Sequence, residues 1–111
     1  EILAVDYDDW CIENSLENIA TNNCSKITIQ KADTAQTSSS FDIVIANINK
    51  NIILDNATAL ANAVAPKGQL FLSGLLVEDE KDILHAMSQF SFNKLITKEK
   101  SGWIAILLEK N

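Results

Sequence analysis

Residues 41–48 read FDIVIANI, a mostly apolar run that ends close to a polar residue. Ile43, Val44 and Ile45 are β-branched, which favours an extended chain, and an apolar run of this length is typical of a strand buried on both faces. Strands of that kind occur in parallel sheets that are covered by helices. The sequence therefore predicts a central strand over residues 41–48, with Asn47 near its carboxyl end.

Upstream of this strand the pattern predicts a strand, a helix and a second strand. Residues 2–5 (ILAV) form a short apolar run that ends at Asp6, which indicates another buried strand. An amphipathic helix follows from Trp10, with Ile12, Leu16, Ile19 and Ala20 at helical spacing. Residues 26–30 (KITIQ) alternate in polarity, as expected of a strand nearer an edge.

Downstream, two further helices alternate with a strand. Residues 50–65 predict a helix ended by Pro66 and Gly68, with one apolar stripe formed by Ile53, Ala57, Leu60, Ala61 and Val64. Residues 69–76 (QLFLSGLL) indicate a buried strand in which Gly74 permits a bulge or a close backbone approach. Residues 78–90 predict a third helix, whose expected inward side chains are Ile83, Leu84, Met87 and Phe90.

The C-terminal residues break this alternation. Residues 92–98 and 103–109 both indicate strands, and the short Ser101-Gly102 turn leaves no room for a helix between them. They must therefore form an antiparallel hairpin. The sequence predicts a single α/β domain over residues 1–111, with a mostly parallel sheet and an antiparallel end.

Composition excludes several classes of function. The net charge is −6, and the nine basic residues are scattered lysines, so a nucleic-acid partner is disfavoured. No apolar stretch approaches the roughly 20 residues needed to cross a bilayer. Cys11 and Cys24 lack the spacing of a zinc or redox site, which indicates reduced thiols in a cytoplasmic protein without a metal.

Three polar residues follow the apolar runs, where ligands bind in open α/β sheets. Asp6 suits either the hydroxyls of a ribose or the free N–H groups of the next helix. Asp33 could accept a hydrogen bond from an adenine amino group or lie solvated in a loop. Asn47 could hold an attacking amine through its amide oxygen, or serve the turn, a task that Asn49 could also perform.

Two aromatic or titratable side chains are weaker candidates. His85 lies on the polar side of the third helix and is expected at the surface. With this single histidine, no Ser/His/Asp triad can be assembled. Trp103 opens the last strand, where it either packs in the core or forms the wall of a pocket.

Five segments together resemble the ribosomal protein methyltransferase family called PrmA. They are VDYD at 5–8, ENxxxN at 17–22, FDIVIANI at 41–48, PKGQLFLSG at 66–74 and GWIAILL at 102–108. The resemblance covers nearly the whole chain, and its most family-specific parts are the ANI and LSG segments. It implies a Rossmann-like class I methyltransferase fold, a three-layer sandwich in the cytoplasm that uses S-adenosyl-L-methionine to methylate lysine and N-terminal amines of a large-subunit ribosomal protein.

The resemblance also assigns roles to residues. It implies that Asp6, with Tyr7 beside it, binds the ribose and that Asp33, with Thr34, lies by the adenine. Asn47 would lie beside both the donor methyl group and the incoming amine, so it counts as a cofactor-binding and a catalytic residue. Trp103 is the second catalytic candidate, as a wall of the same pocket.

The chain departs from the family in one respect. No glycine-rich loop of the GxGxG kind is present, so we expect a catalytic domain without its first strand and cofactor loop, inactive alone and able to self-associate through exposed sheet edges. Two alternatives stay open at this point. They are an NAD(P)-dependent oxidoreductase fragment, since both enzyme classes use an acid at a strand end, and a non-catalytic Rossmann-like interaction module.

Overall fold

The computed structural model describes residues 2–6, 13, 14, 16–18, 20, 27–31 and 40–111. The chain divides into two compact units, Glu1–Ala35 and Gln36–Asn111.

The first unit contains a parallel pair of strands, β1 (Ile2–Asp6) and β2 (Ile27–Lys31). Their register runs from Ile2 opposite Ile27 to Asp6 opposite Lys31. A parallel pair needs a crossover connection, and the described residues 13, 14, 16–18 and 20 within it are helical, as the sequence predicts. Leu16 is nevertheless 52% exposed, contrary to the expected inward face. Helical spacing groups apolar residues on one face but does not determine whether the rest of the chain covers it.

The second unit contains a four-stranded sheet of mixed direction. Its strands are β3 (Phe41–Asn47), β4 (Val64–Leu76), β5 (Phe92–Lys100) and β6 (Trp103–Lys110), in the order β3-β4-β6-β5. β3 and β4 are parallel, whereas β6 is antiparallel to both β4 and β5. The predicted α/β class, with parallel strands and an antiparallel C-terminal hairpin, is confirmed.

The prediction that residues 41–48 form a central strand is wrong for this sheet. β3 lies at the edge and, among the described strands, pairs only with β4. Ile43 and Ile45, which share one side of the strand, are 64% and 71% exposed. An apolar run indicates that a strand is to be buried, but it does not determine which other strands or helices bury it.

The predicted helix over residues 50–65 forms two short helices. α1 (Lys50–Asp55) and α2 (Ala57–Ala63) are separated at Asn56. All five residues of the predicted apolar stripe are buried, which confirms the face. The predicted end is wrong, because Val64 and Ala65 belong to β4. A residue before proline is disfavoured in helical conformation, so Pro66 acts on Ala65 and the helix ends earlier.

The third predicted helix is shorter than the pattern indicated. A 3₁₀ turn at Val77–Asp79 leads into α3 (Glu80–Ser88). Ile83 and Met87 are fully buried, and His85 is exposed as predicted. The core lies between these helices and one face of the sheet, which contributes Leu70, Leu72, Leu75, Ile104, Ile106 and Leu108.

Polar contacts of three charged side chains, Lys110, Lys50 and Glu80, connect the helices to other elements. Lys110 donates from Nζ to the carbonyl oxygens of Ala61 (2.7 Å) and Val64 (3.1 Å), at the end of α2, where a positive charge is favourable. Lys50 Nζ lies 3.3 Å from Asp82 Oδ2, which joins the start of α1 to α3. Glu80 Oε1 accepts hydrogen bonds from Thr97 Oγ1 (2.8 Å) and Lys94 Nζ (3.2 Å), which join α3 to β5.

These contacts give Glu80 a pH-dependent contribution to stability. The hydrogen bond from Thr97, assisted by the hydrogen bond and charge of Lys94, lowers the pKa of the Glu80 carboxyl against the opposing effect of its partial burial. A carboxyl whose pKa is lower in the folded state stabilises the fold above its unfolded pKa, and this contribution is lost as pH falls through the folded pKa.

We therefore expect Glu80→Gln to lower the free energy of unfolding at neutral pH and to have little effect in acid. Urea unfolding at a series of pH values from 7 downwards measures the difference in the free energy of unfolding between Glu80→Gln and the unchanged protein. Glu78→Gln is the matched control, because it is the same change at an exposed glutamate two residues before Glu80. A Glu80→Gln difference that stays constant with pH would contradict the expectation.

Candidate functional site

Asn47 is the last residue of β3, and its side chain is exposed. The adjacent turn does not use it. Asn49 is the N-cap of α1, and its Oδ1 accepts a hydrogen bond from the backbone N–H of Ile52 at 3.0 Å. Within the described part of the chain, the Asn47 amide makes no hydrogen bond. The turn-forming task is performed by Asn49, which leaves both the oxygen and the NH₂ of Asn47 available for a ligand.

A β-bulge lies directly beside Asn47. In the β3–β4 register Asn47 is opposite Ser73. On the other side of β4, pairing with β6 is interrupted between Leu72 and Leu75, so two residues of β4 have no regular partner there. One of them, Gly74, has a φ of 80°. The sequence predicted a bulge or a close backbone approach at this glycine, and the bulge is confirmed. Bulges commonly redirect side chains next to functional sites.

Gly74 and Asn47 are in close contact. A Cβ atom at position 74 would lie 2.7 Å from Asn47 Oδ1 and 3.2 Å from the carbonyl oxygen of Ile48. Only a glycine leaves this space open. The amide oxygen of Asn47 therefore occupies a position that the sequence of β4 keeps free.

A surface cleft of about 280 Å³ opens on the other side of the bulge. Its lining residues are Ser73, Gly74, Lys98, Glu99, Lys100, Trp103, Ile104 and Ala105. Trp103 is 55% exposed, so the core-packing alternative for this residue is wrong. Asn47 is not among the lining residues, but two residues that border it are: Ser73, its partner in the register, and Gly74.

The charged wall of this cleft was not predicted as part of a site. In the sequence, Lys98 and Lys100 are two of the nine scattered lysines of a chain with acidic net charge. The signal that could have found them is the hairpin register, since a turn at residues 101–102 places Lys100 opposite Trp103 and Lys98 opposite Ala105.

The other candidate cofactor residues, apart from Asn47, lie at the end of the first unit's sheet or outside the described residues. Asp6 is the last residue of β1 and is paired with Lys31, the last residue of β2, so both carboxyl ends lie at the same edge. Tyr7, Asp33 and Thr34 lie outside the described residues. Their roles, and the position of Asp6 relative to Asn47, stay predictions.

The described ranges hold neither a metal site nor a membrane span. Among the residues that the structure describes, no group of three or more His, Cys, Asp or Glu side chains could hold a metal ion. In the same residues, no helix is long and apolar enough to cross a membrane.

Comparison with known proteins identifies the family of this chain. The model of the family described as ribosomal protein L11 methyltransferase (PrmA) matches residues 1–111. The chain belongs to this family. The PrmA resemblance predicted from the VDYD, FDIVIANI and LSG segments is thereby confirmed.

Curated relatives of the chain carry the same description. The chain is 34% identical over 107 residues to a ribosomal protein L11 methyltransferase of Phocaeicola vulgatus. The matched region covers 95% of this chain and 38% of the relative. The chain is 33% identical to a ribosomal protein L11 methyltransferase of Chlorobaculum parvum. This match covers 97% of the chain and 39% of the relative. The chain thus spans less than two-fifths of the length of these relatives.

Solved structures agree with the family assignment. The crystal structure of a ribosomal protein L11 methylase from Lactobacillus delbrueckii subsp. bulgaricus matches with a TM-score of 0.91 and 28% identity, over 100% of this chain and 59% of that one. A SAM dependent methyltransferase from Aquifex aeolicus matches with a TM-score of 0.78 at 10% identity, over 98% of this chain and 68% of that one. The second likeness supports the Rossmann-like methyltransferase fold.

Proposed function

We propose that residues 1–111 form part of the catalytic domain of an S-adenosyl-L-methionine-dependent methyltransferase, and that the whole protein methylates lysine or N-terminal amines of ribosomal protein L11. The observation that carries this proposal is the family match, which extends from residue 1 to residue 111. It also favours a methyltransferase over the oxidoreductase and interaction-module alternatives. The predicted cytoplasmic location belongs to the same proposal.

The residues at the end of β3 fit such a cofactor and substrate. Asn47 presents an exposed, uncharged amide without a hydrogen-bond partner in the described residues, and the bulge at Gly74 keeps space open around its oxygen. Together with Asn47, the residues that would hold the cofactor are Asp6, Tyr7, Asp33 and Thr34. When bound, S-adenosyl-L-methionine would supply a methyl group on a sulfonium, from which the neutral thioether is a good leaving group.

The choice of an amide at position 47 suits an amine substrate. An amine must be neutral to act as a nucleophile, and a carboxylate beside it would favour its charged form. The amide oxygen of Asn47 can accept a hydrogen bond from the amine without adding a charge. Held in this way, the amine keeps its lone pair directed towards the methyl group, and such positioning is a large part of what an enzyme contributes to a transfer of this kind.

The exposed indole of Trp103 gives the neighbouring cleft an apolar wall. Trp103 lines the cleft together with Lys98 and Lys100 of the same hairpin. In the proposal Trp103 excludes water from the reacting groups, and the cleft receives part of the protein substrate. Exclusion of water strengthens the polar interactions of the site.

The free edge of β3 is the basis of a related proposal. Ile43 and Ile45 are exposed there, and β3 has no second neighbour among the described strands. We propose that a further strand of the whole protein, followed by a glycine-rich loop, completes the sheet beside β3 and the cofactor site. In the isolated chain, the same edge would be available to a second copy, because an unpaired strand edge is a template for pairing.

Isothermal titration of S-adenosylhomocysteine tests the proposed function. We expect binding to the protein extended upstream through its next strand and loop, and little or none to residues 1–111 alone, since the loop supplies backbone N–H groups to the cofactor. The extended protein should also transfer labelled methyl groups to ribosomal protein L11. Absence of binding to both proteins would contradict the cofactor assignment, and binding of NADH instead would favour an oxidoreductase.

A further inference from the structure

We propose that Gly74 is a positioning residue for methyl transfer, because its missing side chain leaves the space in which the amide oxygen of Asn47 lies. This inference rests on the proposed function, in which Asn47 holds the attacking amine. It concerns a residue that does not itself contact the reacting groups and acts only through Asn47.

The contact is too short for any side chain at position 74. A Cβ atom there would be 2.7 Å from Asn47 Oδ1, closer than non-bonded carbon and oxygen atoms approach in proteins. The backbone oxygen and nitrogen of Ile48, at 3.2 and 3.4 Å, close the space on the side of the following residue. The amide oxygen is the end of a flexible side chain and would yield first.

A second feature of the backbone points to the same role. The bulge places Ser73 and Gly74 of β4 opposite Ala105 of β6, since pairing is regular at Leu72 with Ile106 and resumes at Leu75 with Ile104. The bulge thereby turns β4 just where its other edge reaches Asn47. A positive φ alone could account for a glycine at a bulge, so the space and the backbone angle must be separated by experiment.

The chain offers a matched control for the backbone angle. Gly102 has a φ of 85°, close to the 80° of Gly74, but a Cβ atom there would meet nothing within 4 Å. Gly102→Ala therefore introduces the left-handed strain alone, whereas Gly74→Ala introduces similar strain and the collision with Asn47. Any loss of catalysis beyond that of Gly102→Ala reports the displaced amide.

The experiment compares kinetic constants and melting temperatures of variants in the full-length protein that contains residues 1–111. Gly74→Ala is expected to lower kcat on the order of 10²-fold, the typical cost of a small misplacement of a reacting group. Gly102→Ala should lower the melting temperature and retain kcat. Gly74→Asn, which fills the same space with a residue tolerant of positive φ, provides the kinetic result if Gly74→Ala does not fold.

Two further measurements distinguish positioning from general damage. In the Asn47→Ala background, Gly74→Ala should cause little additional loss of kcat, because the atom it displaces is gone. The side-chain amide NMR signals of Asn47, assigned by their absence in Asn47→Ala, should shift in Gly74→Ala and stay in place in Gly102→Ala.

The outcomes are separable from failure of the proposed function. Equal kcat losses for Gly74→Ala and Gly102→Ala, or full additivity with Asn47→Ala, would overturn the positioning role while methyl transfer by the unchanged protein stands. If the unchanged protein transfers no methyl group to L11, the proposed function and the catalytic part of this inference both fail. The NMR comparison then still decides whether Gly74 holds the Asn47 amide in place.

Discussion

Replacing Asn47 by alanine is expected to lower kcat for methyl transfer on the order of 10²-fold and to leave the free energy of unfolding within about 0.5 kcal/mol. The kinetic loss follows if the amide oxygen aligns the incoming amine. The small effect on stability follows because the side chain is exposed and makes no hydrogen bond within the described residues. Steady-state methylation of L11 and urea unfolding measure the two quantities.

Asn49→Ala is the matched control, two positions further along the same turn. Asn49 caps α1 through its bond to the N–H of Ile52, so its loss should cost about 1 kcal/mol of stability. Its kcat should be retained. A result in which Asn47→Ala lowers stability as Asn49→Ala does, with kcat unchanged, would assign Asn47 to the turn and remove it from the proposed site.

Asn47→Asp tests the chemical reason for an amide. A carboxylate close to the amine favours the protonated amine and raises its pKa. The acid limb of the pH–rate profile should therefore move to higher pH in this variant, with activity partly recovered in alkaline buffer. An unshifted profile would mean that residue 47 does not lie beside the nucleophile.

Much of the second unit could be predicted because its signals are local. The FDIVIANI run, the stripe from Ile53 to Val64 and the Ser101-Gly102 turn each depend on a few neighbouring residues. The run forms a strand, the stripe is buried as expected, and the turn joins two antiparallel strands. The bulge at Gly74 was also predicted, since a glycine within an apolar strand commonly marks a bulge or a close approach of another backbone.

Two predictions about the second unit are wrong, one on the pairing of a strand and one on the end of a helix. The place of β3 at the edge of its sheet depends on which strands pair, and its apolar pattern cannot specify a neighbour. The helix over residues 50–65 was extended through Val64 because that side chain continues the apolar stripe. Val64 is indeed buried, but as the first residue of β4, so one pattern of burial was compatible with two backbone conformations.

The candidate site was predictable in its residue types and not in its spatial relations. Asn47 was identified from its position after an apolar run, and Trp103 from its size and place at a strand start. That Gly74 lies between the Asn47 amide and the cleft lined by Trp103 is a consequence of register across β3, β4 and β6. Register between strands is set by pairing across the sheet, which a single sequence does not display.

Of the variants described, Leu72→Ala is expected to lower the free energy of unfolding most. β4 lies inside the sheet between β3 and β6, and the Leu72 side chain is fully buried. Removal of a buried leucine leaves a cavity and costs about 2–5 kcal/mol in the free energy of unfolding. Leu95→Ala, the same change at a side chain that is 49% exposed on the edge strand β5, should cost about 1 kcal/mol or less. Urea unfolding compares the two variants.

Leu72→Met separates lost volume from altered shape. A swap that conserves volume typically costs less than about 1.5 kcal/mol, so Leu72→Met should recover most of the stability lost in the alanine variant.

Because Leu72 immediately precedes the Ser73-Gly74 bulge, loss of its packing should also loosen the backbone that borders Asn47. We therefore expect Leu72→Ala to lower kcat as well as stability, whereas Leu95→Ala lowers neither substantially. Equal losses in the free energy of unfolding for the two alanine variants would contradict this expectation.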